Sequence, residues 1–173
     1  MTRKTRAMLI GGIDAGKTTL TDALLQREQR PTKLKTQALV FDDWIVDTPG
    51  EYTENPLYYR NLIATSMEIT HVLFIQDATN EKSIFAPGFS SGLNKLSIGV
   101  VTKADHAEAN VDHAVELLKK AMVRGPIVVT SAYIGQGLRE ITDLVQFQSM
   151  GEMETYVENS ESPYLLFHDM RTK

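Results

Sequence analysis

Eight consecutive residues, Gly11-Gly12-Ile13-Asp14-Ala15-Gly16-Lys17-Thr18, constrain this chain more than any other stretch. They read G-x-x-x-x-G-K-T. A short apolar run, Ala7-Met8-Leu9-Ile10, comes before them, and Leu20, Ala23 and Leu24 follow at helical spacing. A strand, a glycine-bounded loop and a helix start form the context in which this pattern cradles phosphate. Gly11 and Gly16 let the backbone turn its N–H groups inward around an anion. The helix N-terminus adds its partial positive charge. Lys17 can reach outer phosphates, and the Thr18 hydroxyl can ligate magnesium. The candidate cradle is therefore Gly11, Asp14, Ala15, Gly16, Lys17, Thr18 and Thr19.

Composition narrows the classes around that loop. The 173 residues are 42% hydrophobic and 23% charged, ordinary values for a soluble globular protein. The length fits one domain over residues 1–147, with a C-terminal extension over 148–173 that is not a separate domain. A net charge of −4 gives no electrostatic reason to expect nucleic acid or an anionic membrane as partner. The absence of cysteine excludes disulfides, zinc–thiolate sites and thiol catalysis. No apolar stretch approaches the ~20 residues that span a bilayer, and the N-terminal apolar run is too short for a signal peptide. A cytoplasmic location is the expectation.

Along the chain, residues 27–35 are polar, carry Pro31 and read as a loop. Two strands follow over 36–41 and 44–46, joined by a tight turn at Asp42-Asp43. The second runs into Asp47-Thr48-Pro49-Gly50-Glu51. An acidic residue ending a strand beside a phosphate loop can hold magnesium through water. Pro49 and Gly50 break the strand and leave the Gly50 N–H free for a terminal phosphate. Asn55-Pro56 can cap a helix through Leu57, Tyr58, Arg60, Leu62 and Ile63.

Buried parallel strands are expected over 71–76 and 97–101, with residues 84–92 unassigned between them. A helix over 111–122 is expected to stop at Gly125-Pro126. Residues 127–130 read as the last strand, Ser131-Ala132 follow, and a helix through Phe147 closes the compact part. Strands alternating with helices predict an α/β fold: a doubly wound, mostly parallel sheet in three layers, with one antiparallel edge strand. Ligands then sit at the carboxyl ends of the strands, where every motif falls.

The ordered set G-x-x-x-x-G-K-T, D-T-P-G, Thr102-Lys103-Ala104-Asp105 and Ser131-Ala132 resembles the small P-loop GTPases of the translation-factor class. That resemblance implies guanine recognition. Asp105 accepts two N–H bonds from the base, the Lys103 stem lies over it, and Ser131-Ala132 support its carbonyl from the backbone. Thr102 opens the same motif. Adenine lacks the donor pair, so a matched aspartate selects against it. The short spacing to D-T-P-G-E-Y, with Q-D-A-T-N and F-A-P-G-F at residues 85–89, is similar to the ethanolamine- and propanediol-utilisation proteins (EutP/PduV family) over residues 7–147. Membership implies association with bacterial microcompartment shell or enzyme proteins, and nucleotide-dependent phosphoryl transfer to acetate as one activity.

The resemblance implies GTP or GDP as ligand, with ATP as the alternative, and Mg2+ held by Thr18, Asp47 and a switch threonine. That threonine is Thr36 or its competitor Thr32. Catalytic candidates are Lys17, Thr18, Asp47, Gly50 and Glu51. Glu51 stands where many regulatory GTPases carry a glutamine, and a carboxylate beside a triphosphate meets like-charge repulsion. Asp14 raises the same problem inside the loop. Either a monovalent cation such as K+ bridges it, as in translational GTPases, or Asp14 only shapes the loop by an Asx-type turn. Arg60 is an internal arginine finger or a plain helix-surface residue.

His71, His106, His113 and His168 have no ligand-like spacing and read as structural or solvent-facing. The tail carries Pro163-Tyr164-Leu165-Leu166-Phe167, a short apolar patch that packs back on the domain or binds a partner, including another copy. Three functions follow: a slow GTPase switch, an acetate-directed phosphotransferase, and an assembly protein with little turnover.

Overall fold

The first strand, β1 (Ala7–Gly11), is buried along its whole length, as its apolar run requires. Both of its neighbours, β3 (Ile45–Asp47) and β4 (His71–Asp77), run parallel to it. The structure is a computed structural model that describes residues 4–27 and 39–172. Thr32 and Thr36, the two switch-threonine candidates, lie outside the described residues.

Seven strands form one sheet in the order β2-β3-β1-β4-β5-β6-β7, where β2 is Val40–Asp42, β5 Leu96–Thr102, β6 Arg124–Val129 and β7 Leu165–Asp169. The interior pairs are all parallel. Alternate side chains of each strand enter opposite faces. On β1, Met8 and Ile10 join a core layer with Val72, Phe74, Leu62 and Leu118. Ala7 and Leu9 face a second layer with Leu20, Ile141, Leu144 and Met153. Helices α3 (Tyr59–Ser66) and α4 (Val111–Ala121) cover the first face. Helices α1 (Lys17–Leu24), α5 (Leu138–Leu144) and α6 (Met150–Asn159) cover the second. The expected doubly wound α/β architecture is thus observed.

Four local features differ from the sequence expectation. The β2–β3 hairpin pairs Asp42 with Ile45, so its turn is Asp43-Trp44 rather than Asp42-Asp43. Asp43 takes φ 54° there, a left-handed value that aspartate tolerates better than most residues. A four-residue helix, α2 (Glu51–Glu54), directly follows Gly50. Asn55 caps the 3-10 turn Pro56–Tyr58 that leads into α3 by accepting the Leu57 N–H at 3.0 Å.

Gly125-Pro126 does not stop α4. The helix ends at Ala121 with Met122 already extended, and Gly125-Pro126 lie inside β6. A Cβ on Gly125 would stand 2.3 Å from the Ser97 carbonyl oxygen, so the glycine is there for strand-to-strand approach. Finally, residues 127–130 are not in the last strand. The tail supplies α6 and then β7, which pairs antiparallel with β6 and adds a second antiparallel edge to the one at β2. The apolar patch of the tail therefore packs back on the sheet.

Candidate functional site

The topology places β1 at the point where the chain first turns to β3 on one side and then to β4 on the other. Such a switch point opens a crevice beyond the carboxyl ends of the strands, and residues 11–18 lie across it. Gly16, at φ 94°, caps α1 in a left-handed conformation, which only glycine adopts without strain. Gly11 packs where a Cβ would meet the Ile75 Cβ at 2.9 Å.

The loop is held from behind by the end of β5. The Thr102 hydroxyl donates to the Ala15 carbonyl at 2.6 Å, and Lys103 Nζ donates to the Asp14 carbonyl at 2.8 Å. Asp14 itself is exposed, sits at φ 60°, and uses no side-chain hydrogen bond among the described residues. An Asx-type turn is therefore not what shapes the loop.

Lys17 is only 6% exposed. Its Nζ donates to the Gly11 and Gly12 carbonyls at 3.0 and 2.7 Å. Burial pulls its pKa below the ordinary lysine value, while the charges of Asp47, Glu54 and Asp14 pull it back up. Beside it, the Thr18 hydroxyl donates to Asp47 Oδ2 at 2.8 Å. Thr48 fixes the end of β3 against β1 by donating to the Leu9 carbonyl at 2.6 Å. The hydroxyl and carboxylate expected to share a metal thus meet although 29 residues separate them.

The D-T-P-G segment lies directly on the loop. A Cβ on Gly50 would stand 2.6 Å from the Ile13 nitrogen and 2.7 Å from its Cα. From α2, the Glu54 carboxylate accepts the Ile13 N–H at 2.9 Å. Glu51 is exposed at the first position of α2, and Arg60 is exposed on α3.

At the other end of the crevice, Asp105 Oδ1 accepts the Ser131 hydroxyl at 2.7 Å. The Ala104 N–H donates to the Thr130 carbonyl at 3.1 Å, joining the β5 and β6 loops. Lys103, at φ 60°, has its ammonium fixed by Asp77 Oδ2 at 2.7 Å as well as by the loop carbonyl. Burial raises the Asp77 pKa, but the hydrogen bonds from Lys103 and Thr79 outweigh it and hold that carboxyl below its ordinary value. A shallow, open pocket lies here, lined by Gly16, Thr19, Thr102, Lys103, Asp105 and Ala132.

The family model for ethanolamine utilisation and propanediol utilisation, PduV-EutP, matches residues 4–147. The chain belongs to the PduV-EutP family. The propanediol utilization protein PduV of Citrobacter freundii is 37% identical over 136 residues, covering 79% of this chain and 89% of that protein. A protein named probable acetate kinase EutP from Salmonella typhimurium is 33% identical over 151 residues, or 86% and 94% of the two chains. Its namesake from Escherichia coli K12 is 31% identical over 140 residues, 80% and 87%.

All described candidate residues fall inside the PduV-EutP match, whereas α6 and β7 lie beyond it. The donor set suits magnesium. A hydroxyl and a carboxylate are hard oxygen ligands, and Mg2+ takes one or two of these while phosphates and water complete its shell. No group of three His, Asp or Glu side chains able to hold a metal occurs among the described residues, so a dedicated all-protein metal cage is not what these residues build.

The four histidines each bond the backbone: His71 to the Phe147 carbonyl, His113 to that of Glu81, His168 to that of Met122, and His106 to the Glu108 N–H. His71 is buried and His168 half-buried, whereas His106 and His113 face solvent. Two site residues escaped the sequence. Asp77 stood within Q-D-A-T-N with no hint of its lysine partner, and Glu54 carried no local signal at all. No helix among the described residues is long and apolar enough to cross a membrane.

Proposed function

We propose that this protein binds guanine nucleotide with magnesium and hydrolyses GTP slowly, in the setting of ethanolamine or propanediol utilisation. The observation that carries the reading is Lys103. One ammonium bonds both the loop at residues 11–18 and Asp77, so the pocket holding Asp105 and the phosphate-type loop form a single continuous crevice. A carboxylate with one oxygen oriented by Ser131 has lone pairs left for two base N–H donors, which suits guanine and not adenine.

In this reading the backbone N–H groups of residues 13–18 and Lys17 hold the phosphates. Thr18 and Asp47 hold Mg2+, which supplies charge neutralisation at the outer phosphates. Glu51, a carboxylate at the head of α2, replaces the neutral amide that orients water in many GTPases. It suffers repulsion from the triphosphate, which supports slow turnover. An isolated GTPase without a supplied arginine turns over at roughly 10⁻⁴ to 10⁻³ per second, and Arg60, exposed on α3, forms no hydrogen bond or ion pair among the described residues. The charge of Asp14, not engaged by any side-chain hydrogen bond among the described residues, supports stimulation of turnover by K+. Microcompartment shell or enzyme proteins are the partners that family membership favours.

A second reading has its own support, since three relatives bear the name probable acetate kinase. An acetate oxygen would attack the γ-phosphorus, forming acetyl phosphate as the β–γ P–O bond breaks and the nucleoside diphosphate leaves. One assay tests both: GTP or ATP with Mg2+, in K+ or Na+, with and without acetate, quantifying phosphate and acetyl phosphate. The GTPase reading expects phosphate from GTP, little from ATP, faster release in K+ than in Na+, and loss of turnover in Lys17→Ala. Acetyl phosphate dependent on Lys17 would replace it with the phosphotransferase reading. Equal use of ATP and GTP would remove the role given to Asp105.

A further inference from the structure

The Glu54 carboxylate bonds a backbone donor of the loop at residues 11–18. Its Oε1 accepts the Ile13 N–H at 2.9 Å and would stand 3.1 Å from a Cβ on Gly12. The same end of the loop holds Lys17 Nζ, on the Gly11 and Gly12 carbonyls. The base pocket lies at the opposite end, around Gly16, Thr19 and Asp105. A nucleotide whose base sits in that pocket runs its phosphates along the loop from Gly16 towards Ile13, so Ile13 meets the outermost group. Gly50 packs on Ile13 from the outer side, and the Gly50 carbonyl accepts the Glu54 N–H at 3.3 Å. That contact anchors the carboxylate to the D-T-P-G segment. Two anions drawn to one N–H donor compete for it, and like charges this close repel strongly.

We propose that the Glu54 carboxylate holds the terminal-phosphate position of the loop and has to swing away before a triphosphate seats, so that Glu54 sets the discrimination between nucleoside tri- and diphosphates. The inference rests on the nucleotide-binding reading above. A diphosphate ends short of Ile13 and leaves the bond intact. A triphosphate displaces it, and with it the hold of α2 on the loop. Because Glu54 is exposed and closes a helix of only four residues, its replacement leaves the core untouched. Glu54→Gln keeps an acceptor for the Ile13 N–H but removes the charge; Glu54→Ala removes both.

The test is titration calorimetry of the full chain with GDP and with a non-hydrolysable GTP analogue, in Mg2+, for the natural protein and both variants. Thermal melts establish that the variants fold. A charge-assisted hydrogen bond lost on binding predicts that the analogue binds about tenfold more tightly to Glu54→Ala, and by a smaller factor to Glu54→Gln. GDP affinity stays within about twofold. If the natural protein binds both nucleotides and the variants change neither, change both equally, or lose affinity for the analogue, the role given to Glu54 is wrong and the nucleotide reading stands. If the natural protein binds neither nucleotide, the nucleotide reading fails and this inference falls with it.

Discussion

Replacing Gly50 with alanine sets two effects of opposite sign against each other. Gly50 has φ −56° and ψ −35°, an ordinary right-handed conformation. On backbone grounds alone, alanine should therefore stabilise the fold by about 0.4–1 kcal/mol through reduced freedom of the unfolded chain. Packing opposes this. The new Cβ would lie 2.6, 2.7 and 2.8 Å from the nitrogen, Cα and Cγ1 of Ile13. Two of those atoms are backbone and cannot rotate aside. Overpacking against backbone sits in the upper part of its range of about 1–3 kcal/mol, so the net expectation is a loss of about 1–2 kcal/mol. Urea denaturation reads this as a midpoint lower by about 0.5–1 M for a slope near 2 kcal/mol/M.

Gly92→Ala is the control. That glycine has no atom within 4 Å of its would-be Cβ and should be neutral or slightly stabilising. If Gly50→Ala proves as stable as the natural chain, the close contact between the D-T-P-G segment and the loop does not exist. The positions assigned to Gly50 and Glu54 would then lose their footing.

Asp77→Asn should weaken the clamp on Lys103 by about 1 kcal/mol at neutral pH, as a partly exposed charged hydrogen bond warrants. Because the folded carboxyl is held below its ordinary value of 3.8, its contribution is complete above that pH and is lost as pH falls through the lower folded value. Urea midpoints of the two proteins should accordingly converge on acidification, and a gap that persists in acid would show that charge is not its cause. Deleting residues 160–173 removes β7, whose half-buried Leu165, Leu166 and Phe167 contribute about 1 kcal/mol each. It also bares the β6 edge, so Tm should fall by about 6–12 °C with associated species on gel filtration; an unchanged, monomeric product would refute the packing role of the tail.

What could be read in advance was whatever is encoded locally. The apolar runs of β1, β4 and β5 announce buried parallel strands because every one of their faces is covered. The loop at residues 11–18 and the T-K-A-D segment are recognisable because backbone turns and side-chain donors must sit at fixed offsets. What escaped depends on partners far along the chain. Gly125-Pro126 looks like a helix stop, yet its reason is the Ser97 carbonyl of the neighbouring strand. The apolar residues of β7 become a strand only by pairing with β6. Helix α2 is too short to show a period. Glu54 meets Ile13 across 41 residues, and Asp77 meets Lys103 across 26; nothing near either acidic residue tells which partner it meets.

The charge distribution ties these late findings to the function proposed. Lys17 is the buried cation of the loop, and three carboxylates, Asp47, Glu54 and Asp14, lie near enough to raise its pKa against burial. The other lysine at the crevice, Lys103, has its charge matched by Asp77. A crevice with this acidic excess attracts a bare polyanion poorly, despite backbone N–H groups aimed inward. Each carboxylate then acquires a distinct reason to be there. Asp47 beside Thr18 suits a divalent ion arriving with the phosphates. Exposed Asp14 suits a monovalent one. Glu54, bonded to the loop itself, suits displacement by the outermost phosphate. On the function proposed, the same acidity that looks like an obstacle to phosphate binding would make entry conditional on cations and on phosphate number, and a loop lined only with lysines would impose neither condition.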